Sequence, residues 1–91
     1  MSELRRQVLI VNKRGLHARA SAKFVAAVAQ MDGTKVQVAK DGNCAAGGSI
    51  LGLMMLGAAK GDTVELVVGG SDAETRLAEL VELVESGFGE D

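Results

Sequence analysis

The stretch NKRGLHARASAKFVAAVAQ, residues 12–30, predicts how the fold begins. Its first part, NKRGL at 12–16, is polar and contains glycine, which is typical of a loop. The apolar residues that follow recur at the spacing of one helix face: Ala20, Phe24, Val25 and Val28. Gly33 lies just beyond them as a helix stop signal. The stretch therefore predicts a loop that leads directly into an amphipathic helix over residues 17–30.

The flanking sequence predicts four strands and two further helices. Alternation or enrichment in β-branched residues predicts strands at 4–11, 34–40, 43–46 and 63–69. A short apolar helix is predicted at 49–56, and a longer amphipathic helix at 74–86, with Ser71 and Glu74 as its capping box. The buried face of the long helix is predicted to carry Leu77, Leu80, Val81 and Val84. The resulting order, βαββαβα, predicts an α+β sandwich with one sheet and its helices stacked on one face.

Length and apolar pattern predict one cytoplasmic domain. The 91 residues suffice for a single core, so we expect one domain over 1–91 with a structured part of about 4–86. The last residues, GFGED, are expected to fray. The longest apolar run, near 50–59, is broken by two glycines and is too short to span a bilayer. The N-terminal region lacks the small-residue cleavage site of a signal peptide.

Composition argues against several classes of site. A net charge of −2 disfavours a duplex-binding surface, and an aromatic content of 2% disfavours an RNA-stacking sheet. The single histidine and the single cysteine, Cys44, do not complete a zinc site, so no metal is expected. A lone cysteine also has no partner for an intramolecular disulfide. No bound cofactor is predicted.

The single histidine, His17, lies where the first helix is predicted to begin, two residues before Arg19. A helix N-terminus presents unpaired backbone N–H groups and partial positive charge, which stabilise an anion. The same positive field disfavours a positive charge on the ring and favours the neutral, nucleophilic imidazole. A phosphoryl group on this ring would face helix amides and a guanidinium. A plain role as a helix cap, or as an exposed side chain, is the alternative.

Two motifs carry a resemblance to a known family. NKRGLHARASAKFV and, downstream, GGSILGLMMLGAAKGDTVEL resemble the HPr family, the histidine-containing phosphocarriers of the bacterial phosphoenolpyruvate-dependent phosphotransferase system. The likeness extends over residues 4 to 86. It implies an open-faced sandwich, in which a four-stranded antiparallel sheet carries three helices. It also implies a monomeric carrier that takes a phosphoryl group from enzyme I and gives it to EIIA-type domains, without inserting into the membrane.

The resemblance assigns roles to residues around the histidine. It implies that His17 is phosphorylated on Nδ1, that Arg19 holds the phosphoryl group, and that Gly15 and Leu16 shape the turn. The backbone N–H groups of Ala18 and Ala20 are expected to stabilise the phosphate. The family usually has proline where this chain has Ala20, which leaves the geometry of the first turn open.

The second motif suggests regulation and docking. Ser49 is predicted to cap the short helix. It also matches the serine that an HPr kinase/phosphorylase modifies in part of the family. The short helix is apolar nearly all round, which predicts a partner interface at Ile50, Leu51, Met54 and Met55. A fully buried connecting helix is the alternative to that interface.

Two other functions stay open at this point. One is a regulatory, nitrogen-type phosphorelay within the same family, in place of sugar uptake. The other is a non-catalytic α+β module in which His17 and Arg19 hold a small anion.

Overall fold

The computed structural model describes residues 3–90 and has four strands and three α-helices. The elements follow one another as β1 (Leu4–Leu9), α1 (Ala18–Ala29), β2 (Thr34–Lys40), β3 (Asn43–Ala46), α2 (Ile50–Met55), β4 (Thr63–Gly70) and α3 (Ala73–Glu85). A single 3-10 turn, Gly87–Gly89, follows α3. This is the predicted order, with β1 shorter at its end than the apolar run 4–11 suggested.

The sheet is antiparallel throughout, in the order β1-β4-β2-β3. Its central strand, β4, pairs with β1 on one side and with β2 on the other. Val64, Leu66 and Val68 alternate along β4 and are all buried in the core. Because alternate side chains of a strand point to the same face, these three residues give β4 one apolar face against which the helices pack.

The helices cover that face, so the α+β open-faced sandwich is confirmed. α3 packs on β1 and β4, and α1 packs against α2. On α3 the predicted apolar face is confirmed, because Leu77, Leu80, Val81 and Val84 are all buried. On α1, Ala20 and Phe24 are buried, whereas Val25 and Val28 are only partly so. Among residues 3–90 no helix has the length and apolar character needed to cross a bilayer.

The predicted capping box of α3 is wrong. The residue that precedes the helix is Asp72, in the left-handed conformation with φ 54°, and no side chain caps the helix there. Ser71 instead uses its backbone, because its N–H donates to Gly33 O at 3.0 Å and its carbonyl accepts from the Thr34 hydroxyl. The turn out of β4 is therefore fixed by backbone pairing with the start of β2.

The predicted fraying after α3 is also wrong for residues 87–90; Asp91 lies outside the described residues. Phe88 is only 1% exposed and belongs to the core. Lys23 on α1 donates to the Phe88 carbonyl at 2.7 Å, which fixes the backbone of this segment. Burial of this one aromatic ring outweighs the backbone entropy of the two glycines beside it. This segment therefore packs beside the start of α1.

Candidate functional site

The loop before α1 is shaped by Gly15 and Leu16. Gly15 has φ 61°, a conformation that suits a residue without a side chain. The next amide, Leu16 N–H, donates to Ala58 O at 3.0 Å and ties this loop to the one after α2. Leu16 itself is buried, so the chain emerges to the surface only at the following residue. The loop thus presents His17 at a defined place.

His17 is the N-cap of α1. Its backbone is extended, with φ −74° and ψ 179°, and its ring Nδ1 accepts the backbone N–H of Arg19 at 3.2 Å. The His17 carbonyl accepts from Ser21 N–H at 2.9 Å and begins the helix. The side chain is 20% exposed, so the ring is half-buried and reachable from solvent. His17 is therefore a helix cap, and the ring atom that caps is Nδ1, the one that the resemblance implies as the nucleophile.

The amides of the first turn differ in how accessible they are. Within residues 3–90 the N–H groups of Ala18 and Ala20 meet no acceptor atom. Ala18 is exposed, whereas Ala20 is fully buried, so its amide does not open to the surface beside the ring. The amide that lies against the ring belongs to Arg19, which sequence reasoning singled out only for its guanidinium. A proline at this position would lose no hydrogen bond, because the Ala20 N–H has no acceptor within residues 3–90.

The other ring nitrogen of His17 contacts a carboxylate. Nε2 lies 2.7 Å from Oε2 of Glu90, whose second oxygen accepts from Asn12 Nδ2 at 3.0 Å. Burial alone would raise the pKa of Glu90, but the hydrogen bonds from Asn12 and His17, with the charge interactions of His17 and Lys23, outweigh it and lower that pKa. The carboxylate is thus held in its ionised form against the ring.

Basic side chains surround this carboxylate. An open cleft of about 480 Å³ beside Glu90 is lined by Lys13, Arg14, Arg19, Lys23 and Gly89. Four cations around one ionised carboxylate leave an excess of positive charge beside Glu90, the residue that contacts the imidazole. Such a cleft attracts a multiply charged anion such as a phosphoryl group. Among residues 3–90 no cluster of three or more His, Cys, Asp or Glu side chains could hold a metal ion.

Sequence reasoning missed Asn12 and Glu90. Asn12 is only 1% exposed and bonds both Glu90 and Gly15 O, the latter at 2.8 Å. Its one available signal was a polar residue between a strand and a tight turn, where a buried side-chain amide commonly pairs with backbone. Glu90 carried no signal at all, because its contacts are 73 and 78 residues away in sequence.

Ser49 caps α2 as predicted. Its hydroxyl oxygen accepts the N–H of Gly52 at 3.0 Å, and its backbone is extended with φ −116°. The side chain is half-buried at the start of the helix. This arrangement satisfies one of the first-turn amides that the short helix otherwise leaves without a partner.

Ser49→Ala is expected to lower the free energy of unfolding by about 1 kcal/mol, since it removes that cap. Ser71→Ala is the matched control, because Ser71 was the predicted cap of α3 but contributes only backbone bonds. Urea denaturation of both variants measures the difference. Equal losses, or no loss in Ser49→Ala, would contradict the assigned cap.

Four apolar side chains of α2 lie open to solvent. Leu51 and Met55 are 69% and 77% exposed, and Ile50 and Met54 are both 41% exposed, whereas Leu53 is completely buried. Only one stripe of the helix is therefore used in the core, and the fully buried alternative is wrong. These four residues are called the α2 patch below. α2 packs on α1, and the Leu16 N–H of the histidine loop donates to Ala58 O in the loop that follows α2.

Comparison with known proteins places these features in a family context. A family model described as the PTS HPr component phosphorylation site matches residues 4–86. The phosphocarrier protein HPr of Neisseria meningitidis serogroup A is 44% identical over 87 residues, covering 96% of this chain and 97% of that protein. The phosphocarrier protein NPr of Shewanella violacea is 38% identical over 90 residues, covering 99% of this chain and 98% of that protein.

Solved structures show the same fold. The crystal structure of HPr-C-His from Thermoanaerobacter tengcongensis superposes with a TM-score of 0.88 at 40% identity, covering 100% of this chain and 99% of that one. The phosphocarrier protein HPr from Bacillus anthracis gives a TM-score of 0.86 at 31% identity, covering 92% of this chain and 99% of that one.

Proposed function

Because this chain belongs to the HPr family of phosphocarrier proteins, we propose that it accepts a phosphoryl group on His17 and passes it to another protein. The observation that carries this proposal is the orientation of the ring. Nδ1 faces the first turn of α1, where the Arg19 amide meets it at 3.2 Å, and the Arg19 side chain lines the cationic cleft beside Glu90. A charged phosphoryl group on Nδ1 would find donors already in place.

The proposed transfer from phospho-enzyme I is an in-line displacement at phosphorus. The Nδ1 lone pair attacks phosphorus in line, a new N–P bond forms, and the donor's phosphorus bond breaks with its electron pair left on the donor. The N–H groups of Arg19, freed from Nδ1, and of the exposed residue Ala18 then both donate to phosphoryl oxygens. The Arg19 guanidinium, at the edge of the cleft, balances the charge of the product. Delivery to an EIIA-type domain is the same reaction in reverse, with His17 as the leaving group.

Incubation with enzyme I and labelled phosphoenolpyruvate tests the function. The proposal predicts acid-labile, alkali-stable label on this protein, followed by transfer to a purified EIIA-type domain. If the protein takes up no label while an authentic HPr does so in the same mixture, it is a non-catalytic anion-binding module instead.

Whether this protein serves sugar uptake or a nitrogen-type phosphorelay depends on which EIIA-type domain accepts its phosphoryl group. Relatives named HPr and NPr both match the chain over nearly its whole length, at 44% and 38% identity. The higher identity favours the HPr branch, and therefore sugar uptake, over a nitrogen-type phosphorelay. Comparing transfer rates to a sugar-type and a nitrogen-type EIIA domain distinguishes them, and faster transfer to the nitrogen type would reverse the assignment.

The α2 patch is proposed as the docking surface for enzyme I and for the EIIA-type domains. Large exposed apolar side chains that share a helix face are typical of partner sites, and methionine adapts to more than one partner. The helix that carries the patch packs on α1, and the loop after it is bonded to the histidine loop through Leu16 and Ala58.

Met55→Glu is expected to weaken binding to enzyme I at least about tenfold, or ~1.4 kcal/mol, since docking would bury an unpaired carboxylate. The fold should be unaffected, because Met55 is 77% exposed. Ala78→Glu, at an exposed position on α3, is the control for added charge. Titration calorimetry measures binding and circular dichroism checks folding; equal affinity of both variants would rule out the patch.

Regulation by a kinase is the remaining proposal for Ser49. A phosphate there would lie at the start of α2 beside the α2 patch, where added charge disfavours docking of an apolar surface. Incubation with HPr kinase/phosphorylase and ATP, followed by mass mapping, tests this. An unmodified Ser49 would remove the regulatory role and leave the cap.

A further inference from the structure

We propose that Glu90 is a positioning residue for phosphotransfer, which holds the His17 ring with Nδ1 as its free, nucleophilic nitrogen. This inference rests on the proposed function, since it adds a residue to the same site. It starts from the 2.7 Å contact between His17 Nε2 and Glu90 Oε2, in which both side chains are mostly buried, at 20% and 17% exposure.

The carboxylate is anchored independently of the ring. Asn12 Nδ2 donates to Glu90 Oε1 at 3.0 Å and to Gly15 O at 2.8 Å, so one buried amide joins the carboxylate to the histidine loop. Asn12 cannot move away without leaving the core, because it is 1% exposed. Glu90 is therefore held by the fold rather than by the imidazole alone.

The backbone that carries Glu90 is fixed as well. Phe88 is 1% exposed, and its carbonyl accepts from Lys23 Nζ at 2.7 Å. The Glu90 N–H donates to Gly87 O at 2.9 Å and closes the turn. A buried ring, an ammonium and a backbone bond thus place one carboxylate against one imidazole nitrogen.

The two hydrogen bonds of the His17 ring require the same tautomer. Nδ1 accepts the Arg19 amide, so Nδ1 carries no proton. The ionised Glu90 carboxylate can only accept, so Nε2 carries the ring proton and donates it. The lone pair of Nδ1 is therefore directed toward the first turn of α1 before any donor arrives. A carboxylate that orients a histidine through its second nitrogen is a general means of fixing ring geometry.

The same contact serves the chemistry of transfer. When Nδ1 bonds to phosphorus, the ring gives up electron density and positive charge spreads to Nε2–H, next to the Glu90 carboxylate. The donor's phosphorus bond breaks, its electron pair stays with the donor, and the Nε2 proton remains on His17. On delivery the N–P bond breaks, its electron pair returns to Nδ1, and the ring is neutral again. No proton has to enter or leave, so Glu90 acts by position and charge alone.

Rapid mixing with preformed phospho-enzyme I tests this role. In Glu90→Ala the maximal transfer rate should fall about tenfold, which is the low end of the effect of removing a histidine's second hydrogen-bond partner. The phospho-enzyme I concentration that gives half of the maximal rate should stay within about twofold of the wild-type value. Glu90→Gln retains an oxygen acceptor without the charge, so its maximal transfer rate should lie between those of wild type and Glu90→Ala. The Nε2–H resonance of His17, the only histidine, should be seen in wild type by proton NMR and be lost in Glu90→Ala.

Glu85→Gln is the matched control, since it removes an exposed carboxylate of α3 that makes no side-chain hydrogen bond within residues 3–90. Its rate should equal that of wild type. A folded Glu90→Ala protein with the wild-type maximal rate overturns the proposal. So does a change only in the phospho-enzyme I concentration that gives half of the maximal rate, because that result would mean that Glu90 contributes to docking and not to transfer. In either case His17 would still be labelled and the proposed function would stand. Failure of wild type itself to accept phosphate would overturn the proposed function.

Discussion

His17→Ala is expected to take up no acid-labile phosphate from phosphoenolpyruvate and enzyme I, a loss to the background of the assay. The chain has one histidine, so no second imidazole can replace the missing nucleophile. Removing a group that forms the covalent intermediate eliminates the reaction itself, whereas removing Arg19 or Glu90 would only slow it. Scintillation counting of the gel-purified protein gives the result directly.

Ser49→Ala is the control for that experiment, because it destabilises a different helix and leaves the ring untouched. It should be labelled as fully as wild type. Label that survives in His17→Ala would show that another side chain is the acceptor, and the ring would then be only the cap of α1.

Gly15→Ala is expected to lower the free energy of unfolding more than the other substitutions proposed above. Gly15 has φ 61°, and a side chain in the left-handed region costs about 1–2 kcal/mol. In addition a Cβ there would overlap the Ala58 carbonyl oxygen and lie 2.8 Å from Ala59 Cα. Both are backbone atoms that cannot rotate away, and Ala58 O is the acceptor that holds Leu16. The loss should therefore exceed ~2 kcal/mol, and slower phosphorylation should accompany it because the loop carries His17.

Gly57→Ala separates the two contributions. Gly57 has nearly the same backbone, with φ 66°, but no atom lies within 4 Å of the added Cβ. It should lose only the conformational term of about 1–2 kcal/mol and should be phosphorylated normally. Denaturant unfolding of both variants gives the comparison. If the two glycines proved equally replaceable, the close packing of the histidine loop on the Ala58 carbonyl would be incorrect.

The fold was predictable from sequence because its signals are local. The alternation of β4 and the helical spacing of Leu77, Leu80 and Val84 each reflect burial of one face of a regular element. The cap of α2 was also predictable, because Ser49 bonds an amide only three residues away. The predicted cap of α3 was wrong because the turn before that helix is closed by a hydrogen bond from the Ser71 N–H to the Gly33 carbonyl, just before β2. The Ser71 hydroxyl does not cap the helix.

The candidate site was only half predictable. His17 and Arg19 lie two residues apart in sequence, and a helix start gives them a physical role. Glu90 and Asn12 meet the ring only after the whole sheet and α3 have formed, so no local pattern announces them. The segment after α3 was expected to fray, and one buried aromatic ring, Phe88, reverses that expectation for residues 87–90.

The central claim, that Nδ1 of His17 is the atom phosphorylated, is tested most directly by NMR of the phosphorylated protein with ¹⁵N-labelled histidine. One histidine gives one pair of ring signals, so the nitrogen coupled to ³¹P identifies itself. The geometry predicts coupling to Nδ1, the nitrogen at the Arg19 amide, with a proton retained on Nε2. Coupling of phosphorus to Nε2, the nitrogen that faces Glu90, would contradict it.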